Sequence, residues 1–269
     1  MIPDPDKAAR DLLRFYAEAG VDALVGEEPV DRFAEPAPAQ KEMPEPPAER
    51  APPAAAARDP APATAAPPPT DQAVMAAREA AKKAATLDDL RAIMEGFEGC
   101  ALRATAKRLV FADGNPQARL MFVGEAPGRE EDIEGLPFVG RSGKLLDLML
   151  KAIGLDRTQV YIANIIPWRP PGNRDPSLHE TSICLPFIQR QIELVDPKVL
   201  VCLGKPSTAA LLGVTDGIRK TRGRWLGYRN GAQEIRAMPT FHPAYLLRSP
   251  LEKRFAWKDF LAIKKALSG

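Results

Sequence analysis

Polar residues that could do chemistry follow several separate apolar runs of the chain. Glu125 comes just after the run 120–123, Asn164 and Gly204 end two later runs, and His242 follows the last one. Carboxylate, amide and imidazole groups can move protons and match the hydrogen-bonding pattern of a ligand. If the runs are parallel strands of one sheet, their carboxyl ends lie at one edge, where ligands bind. We therefore expect Glu125, Asn164 and His242 to share a pocket.

Residues 140–144, with the sequence GRSGK, are similar to a phosphate-binding P-loop but do not complete that motif. The motif needs a glycine five residues before Gly143, where this chain has Phe138. It also needs a serine or threonine where this chain has Leu145. The sequence therefore argues against a nucleotide hydrolase of the P-loop type.

A run of acidic residues raises the alternative of a metal-dependent nuclease. The run consists of Glu130, Glu131, Asp132 and Glu134. Consecutive acids of this kind are more typical of a solvated loop than of a metal site. The chain has only two histidines, His242 and His179, and we place His179 on the exposed face of a helix. We therefore predict no metal site.

The elements that must position these residues alternate between strands and helices. Strands are predicted at 120–123, 160–162, 199–203 and 235–241, the last joined by a hairpin turn at 230–231 to an apolar run at 225–228. Helices are predicted at 72–85, from Thr86 onward, and at 143–153, 176–195, 206–212 and 250–267. This alternation predicts an α/β fold with three αβα layers around a central four-stranded, mostly parallel sheet.

The first part of the chain has a different composition. Residues 28–72 hold 13 of the 28 prolines and almost no large apolar side chains, so we predict a disordered Pro/Ala-rich linker there. This linker separates an N-terminal helical segment at 1–27 from a domain at 73–269. The segment contains a short amphipathic helix. Residues 7–26 either contact a replication or repair protein or dock back on the chain's own domain.

Charge and cysteine content limit the setting in which the protein works. From Lys205 onward there are 13 Lys and Arg against 4 Asp and Glu, which favours a phosphate-bearing partner over a merely mixed, solvated surface. The three cysteines form no even disulfide framework, and no apolar run is long enough for a membrane span. We therefore expect a cytoplasmic monomer without membrane contacts.

Several segments of the domain together resemble a known family. In chain order they are GEAPG (124–128) with Glu131, GLPFVG (135–140), Asn164 with RPPGNR (169–174), and HPAYLL (242–247). Their order and spacing resemble the family 4 uracil-DNA glycosylases over about residues 98–267. The resemblance implies an enzyme that flips uracil out of DNA and hydrolyses its N-glycosidic bond, leaving an abasic site.

The resemblance also implies roles for individual residues. Of the three expected catalytic residues, His242 donates a hydrogen bond to uracil O2, Glu131 is the first choice for positioning or activating water, and Glu125 is the second. The residues expected to bind the base are Ala126, Phe138, Asn164 and Asn173, with Phe138 stacking on its face and Asn164 reading its edge. Those expected to contact the DNA strand are Ser142, Gly204, Leu246, Leu247 and Arg248.

Two leucines follow His242 in a segment that we predict to be a loop. An apolar side chain can enter a duplex as a wedge and unstack a base step. Leu247 is the preferred wedge and Leu246 the alternative, while Arg248 is placed to hold a nearby phosphate. The competing interpretation is that both leucines pack beneath the final helix.

The sequence departs from the family in its cysteines. The resemblance implies a four-iron cluster on four cysteines, but only Cys100 and Cys184 stand at ligand positions, with Phe97 and Trp168 at the other two. Aromatic rings cannot replace thiolates, so we expect no iron–sulfur cluster and no other cofactor.

Three functions remain open from the sequence alone. The first is a hydrolytic glycosylase, because no basic, histidine-containing insertion of the kind found in covalently trapped relatives follows Asn164. The second is a non-catalytic binder of uracil-containing or abasic-site DNA. The third is a nucleotide-binding or interaction protein that recruits replication factors through its N-terminal segment.

Overall fold

The computed structural model describes residues 70–231 and 233–268. The helical segment predicted at 1–27 and most of the predicted linker lie outside these residues. The first described helix begins at Thr70, so the last three residues assigned to the linker, 70–72, belong to this helix instead. Asp71 then lies in the first turn, where its negative charge complements the helix dipole and favours the start at Thr70.

The centre of the domain is a six-stranded mixed sheet. Its strands are β1 (Asp113–Gly114), β2 (Leu120–Gly124), β3 (Tyr161–Asn164), β4 (Val199–Leu203), β5 (Leu226–Asn230) and β6 (Gln233–Thr240). In the spatial order β1-β3-β2-β4-β6-β5, the four inner strands are parallel and both edge strands are antiparallel. The predicted α/β class is confirmed. The sheet has two more strands than the expected four, because the hairpin partner β5 and the two-residue β1 complete its edges.

Helices cover both faces of this sheet. They are α1 (Thr70–Lys83), α2 (Leu87–Gly96), α3 (Leu102–Thr105), α4 (Arg129–Glu134), α5 (Arg141–Ala152), α6 (Leu178–Val195), α7 (Lys205–Leu212), α8 (Ile218–Thr221), α9 (Pro243–Arg248) and α10 (Lys253–Ser268). Short 3-10 turns lie at Arg157–Gln159, Pro171–Asn173 and Pro250–Glu252. In the described part of the chain, no helix combines the length and apolarity that a bilayer crossing requires.

Side chains of the inner strands alternate between two apolar layers. Met121 and Val123 of β2 pack in the cluster that includes residues of α1, α2 and α6, whereas Leu120 and Phe122 pack in the cluster with α5 and α10. Phe122 stacks on Phe260 of α10 with ring centroids 5.8 Å apart. Burial of one such side chain stabilises the fold by about 1.5–3 kcal/mol. The three-layer arrangement predicted from the sequence is therefore present.

Two short helices differ from the expected loops. The acidic run assigned to a solvated loop forms α4, in which Glu131 and Asp132 are buried. The segment after His242, also expected to be a loop, forms α9, with Pro243 at its first position. Each helix has six residues, which is too short for a helical pattern of apolar side chains to show in the sequence.

Candidate active site

A cavity of about 540 Å³ opens where the inner strands end. Glu125 follows β2, Asn164 ends β3, Gly204 follows β4, and His242 comes two residues after β6. All four line the cavity. Glu125, Asn164 and His242 thus share a cavity as expected, because the four parallel strands have their carboxyl ends at one edge of the sheet.

Asn164 is held at the inner wall of this cavity and is only 6% exposed. Its strand pairs with β2 so that Asn164 lies beside Gly124. A Cβ atom on Gly124 would lie 2.4 Å from Asn164 Oδ1 and 2.6 Å from the Phe138 ring, so a glycine is required here. Oδ1 has no hydrogen-bond partner among the described residues. An unpartnered buried acceptor is costly, which points to a ligand that donates to it.

Phe138 forms an aromatic wall of the cavity and is 5% exposed. Its ring centroid lies 5.4 Å from that of His242. The backbone of Phe138 has a φ of 55°, in the left-handed region that costs a non-glycine residue about 1–3 kcal/mol. A Cβ on Gly143 would lie 1.7 Å from the Phe138 carbonyl oxygen, so the first turn of α5 can pack against this loop only through a glycine.

His242 caps the N-terminus of α9. Its Nδ1 atom accepts a hydrogen bond from the backbone nitrogen of Ala244 at 3.1 Å. Burial and the positive charge of Arg248 together lower the pKa of His242 to about 4, against the opposing negative charge of Glu131. The imidazole is therefore neutral at pH 7, and because Nδ1 accepts, its proton lies on Nε2. A neutral Nε2–H donor suits a ligand oxygen that gains negative charge.

Glu131 lies at the side of the cavity and is almost fully buried. Its Oε2 accepts from Gly128 N at 3.0 Å, and its Oε1 accepts from Val139 N at 3.1 Å and Gly140 N at 3.0 Å. One carboxylate thus joins the loop after β2 to the loop that carries Phe138. The sequence did not indicate this connecting role, because backbone donors leave no signal in residue types.

Glu125 differs from Glu131 in its surroundings. It is half-buried in the cavity wall, and within the described residues no donor bonds to its carboxylate. Burial raises the pKa of Glu125, and the nearby negative charge of Asp175 raises it further. A carboxylate with free lone pairs and a raised pKa can accept a proton more readily than one saturated by backbone donors.

Asn173 reaches the cavity from the turn Pro171–Asn173. Arg169, which the sequence did not single out, donates from Nε to Asn173 Oδ1 at 2.7 Å. The Arg169 guanidinium also lies 3.8 Å from the buried carboxylate of Asp132. Asn173 is thus oriented by a chain of contacts that begins in α4. Ala126 lines the same cavity, as expected.

A second cavity of about 450 Å³ adjoins the first and shares Glu131, Ser142, Asn173 and other wall residues with it. Leu247 and Arg248 line this cavity together with Arg129 and Arg141. Three guanidinium groups around an open cavity fit a phosphate-bearing strand.

Leu246 does not belong to this surface. It is 1% exposed and packs in a cluster with Phe241 and Ala256. The expectation of a DNA contact by Leu246 is corrected, because α9 turns this side chain inward while Leu247 remains half-buried at the cavity rim.

The residues at the expected cluster positions do not fit an iron–sulfur cluster. The Sγ atoms of Cys100 and Cys184 lie 3.8 Å apart, both buried. Phe97 packs edge-to-face on Phe187 with centroids 5.0 Å apart, and Trp168 is 2% exposed. These rings supply packing in place of two thiolates. Residues 70–231 and 233–268 contain no group of three His, Cys, Asp or Glu side chains arranged for a metal.

The third cysteine cannot complete such a set. Cys202 lies within β4, where burial raises the pKa of its thiol to about 12. The chain has three cysteines in all, one fewer than the four thiolates that a cluster of this type requires.

This fold and this cavity define an α/β protein that can hold a flat, polar ring at the carboxyl edge of its parallel strands, between an aromatic wall and an amide–imidazole pair. The family model described as "Uracil DNA glycosylase superfamily" matches residues 111–262. The chain belongs to this family.

Curated relatives show the range of similarity. The type-4 uracil-DNA glycosylase of Sulfurisphaera tokodaii is 41% identical over 187 residues, which are 66% of this chain and 85% of that protein. The type-4 uracil-DNA glycosylase of Thermotoga maritima is 42% identical over 151 residues, or 56% and 77% of the two chains. A DNA polymerase of Bacillus phage SP01 is 29% identical over 157 residues, which are 58% of this chain and 16% of that protein. The first two relatives confirm the resemblance to family 4.

Proposed function

We propose that this protein is a DNA repair enzyme that flips uracil out of DNA and hydrolyses its N-glycosidic bond. The observation that carries the proposal is the Asn164 amide, whose Oδ1 has no partner among the described residues and which lines the same cavity as Phe138 and His242. Extruding the nucleotide costs a few kcal/mol, because the base must be unstacked and unpaired. Contacts in the cavity offset this cost.

Base recognition follows from the amide and the aromatic wall. Asn164 Oδ1 accepts from uracil N3–H and its Nδ2 donates to O4, while Phe138 stacks on the face of the ring. Cytosine has an acceptor at N3 and a donor at C4. The Asn164 oxygen would therefore face another acceptor, and its NH2 group would face another donor. A buried amide left mispaired in this way discriminates by orders of magnitude.

Bond cleavage leaves negative charge on uracil, and His242 is suited to stabilise it. The neutral imidazole donates from Nε2 to O2, and its Nδ1 is already engaged by Ala244 N at 3.1 Å. This pre-oriented donor in a partly desolvated cavity provides electrostatic stabilisation of the leaving base.

A carboxylate must orient or activate the attacking water, and the contacts favour Glu125 over our first choice, Glu131. Three backbone N–H groups occupy the Glu131 carboxylate, which favours a positioning role for it. Among the described residues no donor bonds to Glu125, and its pKa is raised by burial and Asp175, as a general base requires.

The DNA strand is proposed to cross the second cavity. Arg129, Arg141 and Arg248 would hold phosphates, and Leu247 would fill the space of the flipped nucleotide. The backbone N–H of Ser142 and those that follow Gly128 and Gly204 would add contacts, since Gly128 N and Gly204 N already donate to Glu131 and to the Thr240 carbonyl. An iron–sulfur cluster has no role in this scheme, and we propose that the chain binds none.

We further propose that the protein is a cytoplasmic monomer that releases the abasic-site product. Residues 7–26 would contact a repair or replication protein. The odd cysteine count supports a reducing compartment for the described domain.

Release of uracil from a single-stranded oligonucleotide by the full-length chain tests this function. The wild type should release uracil, and Asn164→Asp should lose about 100-fold or more, because a carboxylate cannot donate to O4 unless protonated. Wild-type protein that binds uracil-containing or abasic-site DNA without releasing the base would be a lesion binder and would overturn the proposal.

A further inference from the structure

Arg157 lies outside the cavity but holds the loop that carries its aromatic wall. It begins the 3-10 turn Arg157–Gln159. Its guanidinium donates to the carbonyl oxygen of Pro137 at 3.3 Å from Nη1 and 3.2 Å from Nη2, and Nη2 also donates to the carbonyl oxygen of Phe138. One side chain thus grips two consecutive backbone carbonyls of the cavity wall.

Two carboxylates also bond the guanidinium. Its Nε donates to Asp147 Oδ1 at 2.7 Å, and its Nη1 also bonds to Asp113 Oδ2. The Arg157 side chain is only 23% exposed. A guanidinium is planar and holds its donors in a fixed arrangement. Because it is also held by the two carboxylates, it fixes the positions of the two carbonyls.

The Phe138 backbone needs such support. Its φ of 55° is unfavourable for a residue with a side chain. The Phe138 carbonyl is in close contact with Gly143 of α5 and is bonded by Arg157. Without the guanidinium, only the Gly143 contact would hold this carbonyl, and we expect the residue to relax toward an ordinary φ and its ring to leave the wall.

We propose that Arg157 is a positioning residue for base recognition, acting through the Phe138 backbone and touching neither base nor DNA. The inference rests on the proposed function, since it assumes that Phe138 stacks on the extruded base. Strained backbone geometry persists where the surrounding structure over-determines it, and Arg157 supplies that constraint.

The test is a double-mutant cycle on single-turnover excision of uracil from single-stranded DNA. Arg157→Ala should slow excision about 10–100-fold, the loss expected from a small misplacement of a site group. Phe138→Ala removes the ring, and adding Arg157→Ala to it should cost little more. Binding of Arg157→Ala to abasic-site DNA, which has no base to stack, should be unchanged.

Arg190 provides a matched control. Like Arg157, it donates to a backbone carbonyl: its Nε and Nη2 lie 3.1 Å and 2.7 Å from the carbonyl oxygen of Ala84. Its Nη1 donates to Glu193 Oε2 at 2.7 Å. Its side chain is 27% exposed, close to that of Arg157. Arg190→Ala should lower thermal stability about as much as Arg157→Ala but leave the excision rate at the wild-type value.

The outcomes separate the inference from the proposed function. If the wild type releases no uracil, the proposed function fails. If the wild type is active and Arg157→Ala matches Arg190→Ala, or its loss adds fully to that of Phe138→Ala, the inference is wrong. Should Arg157→Ala not fold, Arg157→Lys replaces it in the cycle. Lysine keeps the charge but lacks the fork, so wild-type excision by Arg157→Lys would overturn the inference.

Discussion

The Nδ1 atom of His242 lies 3.1 Å from the backbone nitrogen of Ala244 and accepts its hydrogen bond. This contact couples the first turn of α9 to the protonation state of the imidazole, because a protonated ring could not accept. The coupling works in the same direction as burial, which lowers the pKa of His242 to about 4 from an ordinary value of 6.5.

The first prediction is that His242 makes stability depend on pH. Between pH 6.5 and pH 4 the unfolded chain binds a proton at this histidine and the folded chain does not, so stability falls as pH falls. From pH 7 to pH 5 the loss should be about 2 kcal/mol, since each pKa unit is worth about 1.4 kcal/mol. Urea denaturation at the two pH values measures it.

His242→Gln should flatten this pH dependence. His179→Gln is the matched control, because His179 is the chain's other histidine and is exposed on α6, so that variant should keep the wild-type slope. Equal pH dependence of the wild type and His242→Gln between pH 7 and pH 5 would contradict a lowered pKa of His242 in the folded chain.

A second prediction separates the two glutamates. Glu125→Gln should slow uracil excision about 10²–10⁴-fold, as loss of a general base does, with unchanged or slightly raised stability because a partly desolvated charge is removed. Glu131→Gln should lower the melting temperature, since its amide nitrogen cannot accept and would leave either the N–H of residue 128 or those of residues 139 and 140 without an acceptor.

Excision rates and thermal melts of both variants check this division of roles. The assignment of the water-orienting role to Glu125 is wrong if Glu125→Gln keeps wild-type excision while Glu131→Gln keeps its stability and loses activity. In that case our first choice from the sequence, Glu131, is the catalytic carboxylate.

Much of the fold and of the site could be predicted from residue patterns. Apolar runs of strand length ending in Glu125, Asn164, Gly204 and His242 imply parallel strands with a shared edge, and the cavity lies there. The two-residue strand β1 could not be found in this way, because it is set by pairing with β3 and has no apolar pattern of its own.

The remaining features depend on backbone contacts. Glu131 is buried because three backbone N–H groups surround its carboxylate, although its neighbours in sequence suggest a solvated loop. Arg157 is far in sequence from the carbonyl of Phe138 that it binds. Apart from proline, which lacks an N–H, every residue type has the same backbone donor and acceptor, so such contacts emerge only from the folded chain.

A third prediction concerns iron. Purified protein should be colourless and contain no iron, because rings of Phe97 and Trp168 stand where two thiolates would be needed and the third cysteine lies within β4. Metal analysis of protein purified without oxygen, with visible absorbance, measures this directly. A brown preparation with several irons per chain would disprove it.

The last prediction concerns how the base leaves the duplex, and it rests on two neighbouring leucines with opposite environments. Leu247 is half-buried at the rim of the second cavity, whereas Leu246 is 1% exposed. Leu247→Ala should slow excision from duplex DNA much more than from single strands, where less unstacking is required, and should change stability by well under about 1 kcal/mol.

Leu246→Ala is the internal control, because this side chain packs against Phe241 and Ala256. Its truncation should cost about 2–5 kcal/mol of stability, with any loss of excision equal on both substrates. Excision from a matched pair of duplex and single-stranded oligonucleotides, with a thermal melt of each variant, tests both statements. If Leu247→Ala instead lowers the melting temperature strongly and slows both substrates equally, Leu247 is a core residue, and extrusion of the base depends on some other group near Arg248.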